Sequence, residues 1–312
     1  MTETPTVTSG HINALRLFDI ANAIDLARAE DLWSSQDRQG ARSRLTGTPP
    51  KAVSFGDPPL GLVLPPAILS LAGKQIEAQV TARLYVFGAV TLSLRVPADG
   101  YAWLEFSALV NAVDAAIGPG EDAKLWADML ELLRTVIGPA MDRPGASPLE
   151  EDYLIATVHS FDRPVAATSL GTDIDLVPLL SGEHRRLAET SRADLLARRF
   201  SYYTDDLVVL TWDRAFIYEP RRDTDVADVL EVANAQLELR AAPLRQPRPP
   251  ALWPGCRSHR THREGRQCAA SNRGRVFGQG LHGGAGSVSS QAGQRCGRPQ
   301  AGHYSRYLPG AV

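Results

Sequence analysis

Between residues 75 and 96 the chain alternates apolar and polar side chains almost without a break. Ile76, Ala78, Val80, Ala82 and Leu84 interleave with Glu77, Gln79, Thr81 and Arg83, and Val90, Leu92, Leu94 and Val96 interleave with Thr91, Ser93 and Arg95. Successive side chains of an extended strand point to opposite sides, so each run predicts a strand with one face in a core. Gly88 marks the turn between them, and the two runs pair as an antiparallel hairpin. From Trp103 the period changes. Trp103, Phe106, Leu109, Val110, Val113 and Ile117 recur at helical spacing, and Gly118-Pro119-Gly120 stops the helix they predict. A second helix follows, with Leu125, Met129, Leu132, Leu133 and Val136 as its core face and Gly138-Pro139 as its end.

The flanks are read in the same way. Residues 11–25 predict one or two strands leading into a helix over 26–33, and 52–55 and 60–64 predict short strands around the turn Gly56-Asp57-Pro58-Pro59. Further on, 153–160 reads as a strand, 175–180 stays open between helix and strand, and 183–199 reads as a charged helix touching the core through Leu187, Leu195 and Leu196. Residues 207–210 form a buried strand by their β-branched and apolar content, and 215–218 another. Val226, Val229, Leu230, Ala233 and Leu237 then stripe a helix over 225–240. The Pro-, Gly- and Ser-rich stretch 142–150 reads as a loop inside the domain. The expected fold class is α+β: antiparallel β-hairpins packed with amphipathic helices in a single domain over 11–240, with 1–10 disordered.

Composition changes this picture at one place. The net charge of −2 conceals two unlike pieces, because residues 241–312 hold eleven Arg, no Lys and one acid, Glu264, for a charge of +10, leaving −12 on residues 1–240. The same 72 residues hold 12 Gly and 7 Pro and show no apolar periodicity. Such a composition does not build a core, so the expectation is a disordered basic tail. The final helix runs into it in full register without a stop signal, and its Arg, Gly, Pro, Ser, His and Cys content is that of GC-rich DNA translated out of frame. The expected origin is a frameshift near codon 241.

Charge and cysteine content also exclude functions. A body at −12 repels a phosphate backbone, so no specific nucleic acid is expected for it. All three cysteines, Cys256, Cys268 and Cys296, lie in the tail; a body without cysteine fits the cytoplasm. The uncharged apolar stretch 60–73 is too short and too proline-broken for a membrane span.

Candidate chemistry is sparse. Residues 1–240 carry no Cys nucleophile, Gly-x-Ser-x-Gly elbow, phosphate-cradling Gly-rich loop or His-Glu-x-x-His pair. In the tail, Gly278, Gly280 and Gly283 match a dinucleotide fingerprint but lack the strand before and the helix after that the mechanism needs. Cys256, His259, His262 and Cys268 offer four zinc-ligand types at a spacing that fits no common finger. Asp173 and Asp175, read on one face of a strand, offer two carboxylates to a divalent cation, with solvated acids the plainer reading. His159, close to Asp162, offers general acid–base chemistry, with a structural histidine the plainer reading, and His184 beside Arg185 and Arg186 reads as exposed. The densest constellation is Tyr202, Tyr203, Asp205, Asp206 and Trp212 around the strand 207–210. Tyrosine and tryptophan with nearby acids line contact surfaces or ligand pockets; packed aromatics with turn-forming acids are the alternative.

That block, 200–219, together with the helix 226–240 and its Ala-Asn-Ala-Gln core and the hairpin 83–96 with its Phe87-Gly88-Ala89-Val90 turn, resembles the bacterial branch of the required-for-meiotic-nuclear-division-related family, of unknown function, over residues 12–240. The resemblance implies oligomers or tethers, since eukaryotic members are mitochondrial or membrane-associated proteins supporting organelle translation, and it carries over no catalytic residue. Such proteins continue the last helix toward a hydrophobic C-terminal segment, whereas here 241–312 stands in its place. The expected function is a non-enzymatic interaction or scaffold protein, membrane-associated in its full-length form. It meets a protein partner or a second copy through an exposed helix 225–240 and needs no cofactor. The alternatives are a metal- or carboxylate-dependent enzyme using Asp173, Asp175 or Asp206, and nucleic-acid binding through the arginine-rich tail.

The frameshift yields a direct prediction. Sequencing the coding DNA across codons 235–250 and translating all three frames should reveal a second frame that continues the amphipathic helix; if none does, the basic tail is genuine.

Overall fold

The computed structural model describes residues 4–42, 57–118, 123–145, 150–183, 185–222 and 226–241. The expectations placed on 43–56, on His184 and on 242–312, including the disordered tail, its frameshift origin and the ligand set Cys256, His259, His262 and Cys268, lie outside the described residues.

Twelve strands and six α-helices occur among the described residues. In chain order they are β1 (Thr6–Asp19), β2 (Ala21–Ile24), α1 (Leu26–Ser34), β3 (Gly40–Arg42), β4 (Leu60–Leu71), β5 (Lys74–Leu84), β6 (Ala89–Pro97), β7 (Tyr101–Ala102), α2 (Trp103–Ile117), α3 (Ala123–Ile137), β8 (Met141–Pro144), β9 (Glu150–Phe161), α4 (Val177–Ser181), α5 (Glu189–Leu196), β10 (Arg199–Phe200), β11 (Leu207–Leu210), β12 (Arg214–Tyr218) and α6 (Val226–Ala241). The class is α+β. One large sheet runs β10-β11-β12-β9-β1-β6-β5-β4-β3, with β7 on the end of β1, while β2 and β8 pair separately. Its ladders are antiparallel except β9 with β12, which is parallel.

The hairpin β5–β6 forms in the expected register, Leu84 opposite Val90 and Val80 opposite Leu94. Its connection is held by Gly88, whose φ of 89° suits glycine and whose carbonyl accepts from Ile20 N and Ala21 N at 3.0 and 3.1 Å. A Cβ at Gly88 would lie 1.8 Å from the Ala21 carbonyl oxygen, so the turn admits no other residue without moving β2.

Strand β1 lies between β6 and β9 and is buried on both sides. Ile12, Ala14 and Phe18 join the main core with Trp103, Phe106, Val110 and Val113 of α2. Leu15 and Leu17 point the other way, Leu15 with Ile155, Val208 and Ile217, Leu17 with Tyr85, Val232 and Ala235 of α6. Over its described side chains the helix expected to be exposed at 225–240 is therefore not a free surface awaiting a partner. The sheet occupies its packing side, with Val232 and Ala235 buried and Leu230 packed against the second cluster.

Several other expectations are corrected. Residues 6–10 are not disordered, because Thr6 and Val7 pair with Ala102 and Tyr101. The strand expected to stop at 64 continues to Leu71; Pro65 and Pro66 sit at a register shift with both rings exposed, the place where a strand tolerates residues without an N–H. Part of the stretch read as loop, Met141–Pro144, pairs with β2. The buried side of α3 is centred on Trp126, Leu130, Leu133 and Ile137, with Leu125, Met129 and Leu132 at its margin, because Trp126 Nε1 donates to Ile117 O at 2.9 Å and fixes the helix rotation. The charged helix starts only at Glu189 and buries no residue.

One buried cation ties β12 to the helices. Arg214 donates to Asn111 Oδ1 and Leu179 O at 2.9 and 2.8 Å, and pairs with Asp114 at 2.9 Å and Asp213 at 3.3 Å. Gly182, left-handed at the end of α4, leaves room for it, since a Cβ there would lie 2.7 Å from Arg214 Nη2. Arg214→Met leaves a buried carbonyl without its donor and two acids without their counterion, so a loss of about 3 kcal/mol is expected in urea unfolding. A loss below about 1 kcal/mol would show that the hub is not needed.

Candidate functional site

The aromatic constellation separates into two ends of one short hairpin. Strand β10 pairs with β11 through Arg199 opposite Val209 and Phe200 opposite Val208, so the 201–206 loop and Trp212 project from opposite ends. At the loop end Phe200, Tyr202 and Tyr203 are 57%, 68% and 44% exposed, and the two tyrosine rings meet edge to face at 4.8 Å. Trp212, at the other end, is also exposed.

The two acids of this block have structural employment. Asp206 is buried and its carboxylate accepts from Tyr202 N at 2.8 Å and Tyr203 N at 3.1 Å, closing the loop from its C-terminal end. Asp205 pairs with Arg221 at 2.7 Å. The buried Asp206 carboxylate thus anchors the backbone that carries both outward-facing tyrosines.

Asp173 and Asp175 do not share a strand face. Their segment is a turn into α4, with Ile174 buried between two exposed acids. Asp175 accepts from Val177 N at 3.1 Å and pairs with Arg192 at 3.1 Å. It lines a groove of about 680 Å³ shared by Leu104, Ser107 and Ala108 of α2 and by Arg185 and Arg192. Ser107 Oγ there is buried without a partner among the described residues. No three His, Cys, Asp or Glu side chains come together as a metal cage among the described residues.

A third site was hidden in the outward rows of three strands. The β6–β1–β9 registers place Arg95 opposite Asn13 and His11 opposite Thr157. Arg95 Nη2 lies 3.0 Å from His11 Nδ1, and the His11 and His159 rings are 5.4 Å apart. A guanidinium only donates, so His11 Nδ1 accepts and the ring is neutral with its proton on Nε2. Burial, then Arg95, pushes the His11 pKa down to about 3. His159 Nδ1 donates to Glu219 O at 3.0 Å, and burial lowers its pKa too; Asp162, its expected neighbour, instead accepts from Thr6 N at 3.0 Å. The sequence signal was present, polar residues at alternate positions, but it is the ordinary mark of a solvated face.

The same side of the sheet holds α6 by charge. Arg83 pairs with Asp228 and, at 3.1 Å, with Glu231. Glu231 is buried, which pushes its carboxyl up to about 7, with Arg83 acting in the opposite direction.

The chain matches a family described as "Uncharacterized protein MJ0711, N-terminal domain" over residues 9–224. That span contains the 201–206 loop, the groove and the histidine pair. No curated protein and no solved structure matches the chain.

The buried His11 and Glu231 give opposite pH dependences. Unfolded His11 takes up a proton near pH 6.5 and folded His11 only near 3, so its contribution is lost as pH falls below 6.5. Unfolded Glu231 ionises near 4.5 and folded Glu231 near 7, so its contribution is lost as pH rises from 4.5 to 7. Between pH 6.5 and about 4.5, His11→Asn should lose about 2 kcal/mol less stability than the parent chain in urea midpoints. Glu231→Gln should flatten the limb from 4.5 to 7. Unchanged slopes in both variants would show that neither group titrates as described.

Proposed function

The chain belongs to the family of the uncharacterized protein MJ0711 N-terminal domain, and for this member we propose a non-enzymatic interaction role in which the aromatic end of β10–β11 meets a second copy of the chain. The observation that carries it is the outward display of Phe200, Tyr202 and Tyr203 beside a terminal strand of two residues. Exposed tyrosines bring large contact area with little side-chain entropy to lose. The outer N–H and C=O groups of a terminal strand are self-complementary, so a copy related by a two-fold axis pairs with them antiparallel. The carboxylates an enzyme would use support this reading by their engagement elsewhere, Asp206 with two backbone N–H groups and Asp175 with Arg192 and Val177 N.

The resemblance to the bacterial branch of the required-for-meiotic-nuclear-division-related family belongs to the same proposal, since it implies oligomers or tethers. Membrane association of a full-length form rests on that resemblance alone, and no helix among the described residues is long and apolar enough to cross a membrane. The acidic, cysteine-free residues 1–240 support a cytoplasmic setting, and the domain boundary after residue 240 remains part of the proposal.

Sedimentation velocity tests the contact. The parent chain should form a dimer, and the double variant Tyr202→Ser, Tyr203→Ser should weaken it by at least about tenfold with an unchanged melting temperature. Leu104→Ser, on α2, should leave it intact. A parent chain that stays monomeric at about 100 μM, or a double variant that dimerises as before, would exclude this surface.

A further inference from the structure

Beside α6 the sheet carries two exposed cations, Arg95 and Arg222, that form no ion pair among the described residues, although Asp228 and Asp99 act on Arg95 through space. The more buried arginines of β5 and β12 each meet two carboxylates, Arg83 with Asp228 and Glu231, Arg214 with Asp114 and Asp213. Arg95 and Arg222 have no such partner among the described residues. Arg95 contacts His11 Nδ1, and Arg222 reaches Ser9 Oγ. Asp99, four residues from Arg95, accepts from Gly10 N at 2.8 Å instead of pairing with it, and Asp162 accepts from Thr6 N at 3.0 Å.

Beneath these exposed guanidiniums lies a polar floor that is equally unsatisfied. Thr157 is 1% exposed and its Oγ1 has no hydrogen-bond partner among the described residues; Asn13 Oδ1, two residue pairs along the ladder, has none either. A buried hydroxyl without a partner costs about 1–3 kcal/mol, so an outside group that pairs with it is stabilised. The histidines add one role each. His11 presents an Nε2 proton, because its Nδ1 accepts from Arg95, and His159 presents an Nε2 lone pair, because its Nδ1 donates to Glu219 O.

We infer that Arg95, Arg222, His11, His159 and Thr157 form a binding site for a phosphate monoester. Two guanidiniums match a group carrying roughly two negative charges, and their planar forks suit its oxygens. Thr157 Oγ1 and His11 Nε2 donate to the same oxygens. His159 Nε2 and Asn13 Oδ1 accept from a P–OH when the group is singly protonated. A polyanion is the poorer ligand, since the surrounding residues 1–240 carry −12.

The backbone at Arg222 points the same way. Its φ of 54° is left-handed, which costs a non-glycine residue roughly 1–2 kcal/mol and costs glycine nothing. A residue with only a local structural task would be better replaced by glycine there, whereas a ligand site needs the guanidinium. Arg222→Gly therefore separates the two roles. It should keep or raise the melting temperature while weakening phosphate binding.

Calorimetric titration of the full chain with inorganic phosphate and with glycerol 3-phosphate, at constant ionic strength, tests the site. Flotation with vesicles containing phosphatidic acid tests whether the monoester is a lipid headgroup. Binding to either free probe, or to vesicles alone, is expected to fall at least about tenfold in both Arg95→Gln and Arg222→Gly. Arg185→Gln, in the groove beside α2, should bind as the parent does. The proposal is overturned if free probes and vesicles both fail to bind at about 10 mM phosphate groups, or if both site variants bind undiminished.

Discussion

The structure depends on a strand that must be covered on both faces and paired along both edges. Strand β1 meets β6 on one side and β9 on the other, and its apolar residues alternate between two cores. A strand in this position fixes three things together: the hairpin order around it, the need for α2 on one face, and the need for α6 on the other. The ladder Ile12 to Val96 and to Ala156 is long-range, so β1 gains its pairing only when distant parts of the chain have arrived.

Around this strand, buried charges set the geometry that apolar packing leaves loose. Arg214 joins β12 to α2 and α4, and Arg83 holds α6 through Asp228 and Glu231. Hydrophobic burial is non-directional, whereas a guanidinium with several partners admits one arrangement. The arginines that lack carboxylate partners gain meaning from this contrast. Arg95 and Arg222 lie on the side of the sheet where Arg83 forms two ion pairs, yet they form none among the described residues, and the partner we infer for them is an outside anion. The aromatic hairpin end is a separate surface, positioned by the Asp206 carboxylate, so self-association and anion binding do not compete for the same residues.

Local pattern was legible wherever a residue's role depended on its neighbours in sequence. The hairpin β5–β6 and the buried stripe of α2, Trp103 to Ile117, follow from periods of two and three to four residues that packing later obeyed. It failed where a distant atom decided. Pro65 and Pro66 looked like a strand end and became a tolerated irregularity, because β5 pairs on either side of them. The rotation of α3 was set by Trp126 reaching a carbonyl of α2. Asp206 and Asp175 looked like candidate ligands and proved to accept from nearby backbone N–H groups, a distinction invisible without the backbone they face.

By itself the sequence determined the α+β class, the main helices and strands, the acidic body and the break in character after Arg240. It did so because side-chain period and composition are properties of the chain alone. Only the tertiary structure decided which polar residues act together. His11, Arg95, His159 and Arg222 are scattered over more than 200 positions, each ordinary on its own strand or turn. Strand pairing across β6, β1 and β9 brings them within reach, because a sheet sets neighbours about 5 Å apart whatever their separation in sequence.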